Sequence, residues 1–183
     1  MKRNRKVNTI GTDVGAPQPY ATAYHAPVLC KEVCTNLITD LNGVYIDGTL
    51  GGGGHSAALL DLLGPQARVI GIDQDADALR EAQGRLGHDA RFFALFGNFS
   101  NTEALLQERG IETVTGILLD LGVSSHQLDD RSRGFSFQGS GPLDMRMDPN
   151  IGSPASEWIN HLDEQALRRI IWNYGEEKRA VAI

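Results

Sequence analysis

Four consecutive glycines, Gly51–Gly54, stand between a run suited to a strand and a run suited to a helix. Upstream, Val44-Tyr-Ile-Asp47 is β-branched and aromatic, the composition of a short buried strand. Downstream, Ser56–Leu63 holds good helix formers and meets no breaker before Gly64-Pro65. A flexible spacer is the competing reading of a glycine run. Spacers, however, lie more often in polar Ser/Gly/Pro sequence than between a strand and a helix. The glycines are therefore placed at a strand-to-helix turn, where backbone N–H groups and the helix dipole favour a polar or anionic ligand group.

The same alternation continues along the chain. Apolar periodicity predicts a helix over 27–38, and after the glycine turn a strand over Arg68–Asp73 and a helix over Ala76–Leu86, weakened by Gly84. A strand over Arg91–Phe96, a helix over Thr102–Glu108 and an apolar strand over Val114–Leu121 follow. Continuous apolar strands alternating with helices imply an α/β fold, a parallel sheet covered on both faces. Residues 1–24 carry no periodicity and are expected to form a disordered tail. Residues 122–152 are rich in Gly, Ser, Asp, Arg and Met and are equally aperiodic. Ser153-Pro154 then signals a helix start, Asp163 looks like the cap of a helix over Glu164–Tyr174, and Glu176–Ile183 reads as a third helix cut short.

The 183 residues suffice for one domain with a core, or one domain and part of another. With 41% apolar and 22% charged residues the composition is that of a soluble globular protein, and no apolar run is long enough to cross a bilayer. The basic start Met1–Lys6 lacks the apolar stretch of a signal peptide. Cys30 and Cys34 lie one helical turn apart, awkward for a disulfide, and no further cysteines complete a zinc set, so buried thiols in a reducing cytoplasm are expected. A net charge of −6 disfavours a protein that grips nucleic acid over its whole surface, but a local basic patch suffices for phosphate contacts.

In a doubly wound sheet the ligand lies across the carboxyl ends of the strands. The first strand delivers Asp47 and the glycine loop there. The second delivers Asp73, about twenty residues past the glycines, where a carboxylate can accept hydrogen bonds from ribose hydroxyls. The third delivers Gly97-Asn98-Phe99, with an aromatic face for an adenine, and the fourth Asp120-Leu-Gly-Val-Ser-Ser125. Asp73 could instead cap the next helix, Phe99 could be core, and His55 could merely open its helix. The loop lacks the third glycine of a dinucleotide fingerprint, since Ser56 stands in its place, so NAD is weakly supported. Asp47-x-Thr-x-Gly51-x-Gly53 is more similar to the acidic-then-glycine loop of S-adenosylmethionine methyltransferases, with Thr49 in place of a usual glycine.

A set of longer motifs carries a more specific resemblance. His25-Ala-Pro-Val-Leu29, Tyr45–Ser56, Gly116-Ile-Leu-Leu-Asp-Leu-Gly-Val-Ser-Ser125 and Gln127-Leu-Asp-Asp130 occur in order. Arg133-Gly-Phe-Ser-Phe137, Gly141-Pro-Leu-Asp-Met-Arg-Met-Asp-Pro149 and Tyr174-Gly-Glu-Glu177 follow. From about residue 24 to 183 the chain closely resembles the bacterial MraW/RsmH-type methyltransferases, which methylate N4 of a cytidine in small-subunit (16S) ribosomal RNA near the decoding centre. The resemblance implies a Rossmann-like S-adenosylmethionine-dependent methyltransferase fold. Its N-terminal part would span 25–128, and the start of a helical substrate-recognition insertion 129–183. It implies cofactor contacts from Gly53, Gly54, His55, Asp73, Phe99, Asp120 and Gln127, the last from the resemblance alone.

The cytosine N4 lone pair is conjugated into its ring. An acceptor that binds an amine hydrogen could turn it toward the methyl group, and Asp120, Ser124 and Ser125 are the candidates. Many amino-methyltransferases stack an aromatic on the flipped base where this chain has Val123. Stacking is therefore expected from Phe135 or Phe137, and phosphate contacts from Arg131, Arg133 and Arg146; anchoring of a long loop is the alternative for the phenylalanines. The implied partner is 16S ribosomal RNA in the small subunit, in the cytoplasm, with no membrane and with a homodimer compatible. The family continues past Tyr-Gly-Glu-Glu to add further strands, so four strands with a raw apolar edge are expected here. A truncated chain that binds cofactor or RNA without turnover, and a dinucleotide oxidoreductase, are the alternatives.

Overall fold

The computed structural model describes Tyr20 and residues 27–183. The expected tail over 1–24 falls, Tyr20 apart, outside them, as does His25. Strands β1 (Val44–Asp47), β2 (Arg68–Asp73), β3 (Phe92–Phe96) and β4 (Gly116–Leu118) form one parallel sheet in the order β3-β2-β1-β4. This is the arrangement of a doubly wound, Rossmann-like α/β sheet, with the strand order reversing at β1. Register puts Tyr45 beside Val69 and Ile46 beside Ile70, so alternate residues feed two layers. On one face Tyr45, Val69 and Phe92 pack with helices α1 (Cys30–Leu37), α2 (Gly54–Leu62) and α3 (Ala76–Leu86). On the other, Ile46, Ile70, Ile72 and Leu95 meet Leu106 of α4 (Thr102–Gln107).

The fourth strand is shorter than the apolar run 114–121 predicts. Thr115 N–H still donates to Val44 C=O and Gly48 N–H to Leu118 C=O, after which β1 turns into the glycine loop and the strand ladder ends, Asp120 N–H going to the Thr49 side chain instead. Leu119 and Leu121 are consequently exposed. Helix α1 is shorter than predicted as well, starting after Leu29, which sits at φ 51°. Helix α2 starts two residues earlier than its composition suggests, inside the glycine run. Both cysteines are free, with Cys34 buried; burial raises the Cys30 thiol and pushes that of Cys34 up to about 11.

The aperiodic stretch is not wholly irregular. It holds a five-residue helix, α5 (Ser125–Asp129), and a 3₁₀ turn over Arg131–Arg133. Periodicity cannot reveal elements this short; the signal is Ser124 three residues before Gln127, a capping box. Beyond it lie α6 (Ala155–His161) and α7 (Glu164–Gly175). Pro154 is itself the cap of α6 rather than its first residue, and Asp163 caps α7 by accepting the Ala166 N–H. The expected third helix over Glu176–Ile183 is absent: Glu176 at φ 50° ends α7 and the remainder forms turns. Eight residues, four of them charged in succession, cannot offset the cost of helix nucleation without a packed face.

Candidate active site

A cavity of about 360 Å³ opens at the carboxyl ends of the four strands, astride β1 where the strand order reverses. Its walls come from the glycine loop, the end of β2, the turn after β3 and the segment after β4.

The glycine loop is fixed from beneath. Asp47 is buried and faces away from the cavity; its carboxylate accepts from Ser56 Oγ at 2.8 Å, tying β1 to α2. Burial raises the Asp47 carboxyl above its ordinary range, although Ser56, His55 and the Thr49 N–H pull the other way. Gly51 (φ +50°) and Gly53 (φ +74°) hold left-handed conformations that favour glycine. Gly51 lines the cavity, but Gly53 turns inward, and a Cβ there would lie 2.9 Å from Leu86 Cδ1. Gly53 therefore shapes the loop, while Gly51, Gly54 and His55 face the ligand space. No side chain caps α2, which leaves its first-turn N–H groups available to an anionic group.

His55 is 5% exposed, with Nε2 2.9 Å from the Val28 carbonyl and Nδ1 3.9 Å from Asp120 Oδ2. The carbonyl can only accept, so Nε2 carries the hydrogen. Asp120 is held from its own backbone, its N–H donating to Thr49 Oγ1 at 2.7 Å, and its carboxylate is about one-third exposed on the cavity wall.

Asp73 lies at the end of β2, facing the cavity. One oxygen accepts the Gly51 N–H at 2.8 Å and the other the Asp75 N–H at 2.9 Å, and the Gln74 N–H bonds the carboxylate as well. Burial raises its carboxyl, only partly offset by these bonds. The cap of α3 is Asp75, accepting from the Asp77 N–H, so the capping role does not fall to Asp73. Phe99 opens the 3₁₀ turn after β3 and is 38% exposed on the cavity rather than core. Asn98 beside it donates to Gln74 Oε1 at 2.8 Å, which pins the β2 and β3 turns together.

The far wall comes from the segment after β4. Ser124 lines the cavity and caps α5; Ser125 is exposed and does not line it. Gln127 lines it too, buried, with Oε1 accepting the Ser124 N–H and Nε2 donating to Asp75 Oδ2 at 2.8 Å. Of the arginines, Arg133 is committed inward, bonding Asp75 Oδ2 at 2.8 Å and the Met147 carbonyl at 2.7 Å. Its guanidinium stands 6.0 Å from the centroid of the half-buried Phe135 ring. Arg146 forms a bidentate pair with Asp144. Arg131 is exposed and Phe137 projects entirely into solvent, the freest aromatic for contact with a partner. Reasoning from sequence assigned no role to Gln74, Asp75 or Met147 and noted Thr49 only as a departure in the loop motif. The signals available were the adjacency of Gln74 and Asp75 to Asp73 and the place of Met147 in the Gly141–Pro149 motif.

Comparison with known proteins fits this arrangement. The model of the MraW methylase family matches residues 22–183. Ribosomal RNA small subunit methyltransferase H of Coxiella burnetii (strain Dugway 5J108-111) is 48% identical over 160 residues, covering 87% of this chain and 52% of the relative. The protein of the same name from Burkholderia cenocepacia (strain HI2424) is 48% identical over 159 residues, covering 87% and 50%. The chain thus spans about half the length of the curated relatives it matches. Among solved structures, a SAM-dependent methyltransferase of Aquifex aeolicus aligns over 38% of each chain at 15% identity, with a TM-score of 0.35. Aeropyrum pernix fibrillarin in complex with natively bound S-adenosyl-L-methionine aligns over 48% of this chain and 40% of its own, at 18% identity and a TM-score of 0.38. The family model covers all but the first 21 of the 183 residues, and on that match the chain belongs to the MraW methylase family.

Proposed function

We propose that this chain forms the S-adenosylmethionine site of a methyltransferase acting on N4 of a cytidine in 16S ribosomal RNA, near the decoding centre. The observation that carries the reading is the convergence of Asp73, Phe99, Asp120 and the uncapped α2 N-terminus on one cavity, in a chain of this family. The donor set fits the cofactor group by group. The cavity-facing Asp73 carboxylate suits ribose hydroxyls, the partly exposed Phe99 ring suits an adenine, and the first-turn N–H groups of α2 suit a carboxylate. A cavity of about 360 Å³ lies within the range of small-molecule sites.

When bound, the cofactor supplies an electrophilic methyl group on sulfur. The chain's own residues then have three tasks. Asp73 and the glycine loop fix the cofactor's position, and placement of two reactants in line contributes much of a transfer's rate. Asp120, held by Thr49, accepts a hydrogen from the attacking amine and orients its lone pair. Ser124, whose Oγ accepts the Gln127 N–H, keeps its hydroxyl hydrogen to offer the base. Phe137 and Arg131 are the exposed residues suited to the RNA. A cytoplasmic site of action belongs to the same proposal, as does a homodimer; no helix among the described residues is long and apolar enough to cross a membrane.

A second reading, cofactor or RNA binding without turnover, uses the same cavity and the same exposed Arg131 and Phe137. Calorimetric titration with S-adenosylmethionine of the chain and of Asp73→Ala separates these from an unrelated function. Micromolar binding that the variant loses supports the site, and tritium transfer to 30S particles then divides the two readings. No binding by a folded chain would sink both uses of the cofactor.

A further inference from the structure

One buried polar cluster performs no task in the reading above. Asp75 is 2% exposed, and its Oδ2 accepts both Gln127 Nε2 and Arg133 Nη1, each at 2.8 Å. The Arg133 side chain is 12% exposed and its Nη2 donates to the carbonyls of Arg146, at 3.2 Å, and Met147. Gln127 and Met147 both line the cavity, and the Asp75 N–H bonds Asp73, the proposed ribose ligand. Burial pushes the Asp75 carboxyl up, yet the hydrogen bonds from Gln127, Arg133 and the Asp77 N–H outweigh it and bring the net shift below the ordinary value. The carboxylate is therefore held charged beneath the cavity floor.

We propose that Asp75 is a positioning residue: through Gln127 and Arg133 it clamps the segment 122–149 against the cofactor cavity, and so sets the cofactor's affinity. The proposal rests on the cofactor reading above for its ligand, but the clamp itself does not. Among the described residues, segment 131–149 has only the 3₁₀ turn as regular structure, and Arg133 supplies its links to both Asp75 and Met147. The Met145 N–H also donates to the Arg133 carbonyl, so the same residue holds the segment by side chain and backbone. A buried ionic node leaves a costly unpaired charge when one partner is lost, so loss of Asp75 loosens the attachment.

Asp75→Asn isolates this role, because Asn caps a helix as well as Asp does and α3 keeps its start. Two measurements on the full chain test it. In hydrogen–deuterium exchange without ligand, the variant takes up deuterium faster over 131–149 while β1–β3 keep their protection. In calorimetric titration with S-adenosylmethionine, the variant binds roughly tenfold more weakly, mid-range for residues sharing one hydrogen-bonded network. Arg133→Gln, which cuts the same link from the other side, gives the same faster exchange over 131–149 and a similar loss of affinity, and the double variant Asp75→Asn/Arg133→Gln loses little more than either single one; losses that simply add would overturn the clamp. Unchanged exchange over 131–149 overturns the proposal whatever the ligand does, and so does faster exchange with unaltered affinity. Failure of the parent chain to bind the cofactor sinks the function reading instead, and exchange alone then decides whether the clamp exists.

Discussion

Single residues set the sign of several measurable effects. Gly53 and Gly84 are both glycines near α3, yet they respond oppositely to alanine. At Gly53 the backbone is left-handed and a Cβ would crowd Leu86 and Ala82, so Gly53→Ala costs about 1–3 kcal/mol. Gly84 is exposed within α3 and a Cβ there meets nothing within 4 Å, so Gly84→Ala gains about 0.5–1 kcal/mol of helix propensity. Urea midpoints at constant slope check both. Asp144 offers a pH signature. Hydrogen bonding from Arg146 holds its carboxyl down to about 2, below its ordinary value of 3.8. A depressed pKa stabilises the fold above the ordinary value and is lost as pH falls through the depressed one. Any Tm deficit of Asp144→Asn is therefore full at neutral pH, shrinks below about pH 4 and vanishes only below about pH 2.

At the scale of the element, buried polar groups decide which turns are rigid. The Tyr45 hydroxyl accepts the N–H groups of Thr39 and Asp40 and donates to the Asp40 carbonyl at 2.8 Å, welding the end of α1 to β1. Tyr45 is fully buried. Tyr45→Phe strips two donors and an acceptor of their partner and is expected to cost about 1–3 kcal/mol in chemical denaturation, with faster amide exchange at Thr39 and Asp40. The strands and the long helices were legible because their apolar periods run for several residues. Helix α3 falls on its predicted bounds, Ala76–Leu86, since Asp75 caps it and the turn at Gly87 follows. Helix α5 was not legible, because five residues hold barely more than one turn of periodicity. Nor was the length of β4, which depends on where β1 stops offering hydrogen bonds.

For the molecule as a whole, the sheet edge matters most. Among the described residues β4 pairs with β1 alone, and Ile117 is 51% and Leu119 45% exposed beside it. An unpaired apolar edge is a surface for self-association. Sedimentation velocity of the chain is expected to show concentration-dependent association, and Ile117→Lys, which places a charge on that edge, to reduce it without altering the circular dichroism of the fold. Unchanged association in the variant would place the sticky surface elsewhere, with the exposed Trp158, Trp172 and Tyr174 of α6 and α7 next to be tested.

By itself the sequence determined the parallel α/β class, the glycine turn at its first crossover and the positions of Asp73, Phe99 and Asp120 at strand ends. Each follows from local rules: apolar runs make strands, strand ends face the ligand side, and glycine tolerates the left-handed turn. Only the tertiary structure decided which of the nominated groups line the cavity. Arg133 and Gly53 are of suitable type in suitable motifs, yet Arg133 is bonded to Asp75, 58 residues earlier, and Gly53 lies against Leu86, on the far end of α3. A side chain's partner is fixed by packing between segments distant in the chain, and no window of sequence contains both halves of that contact.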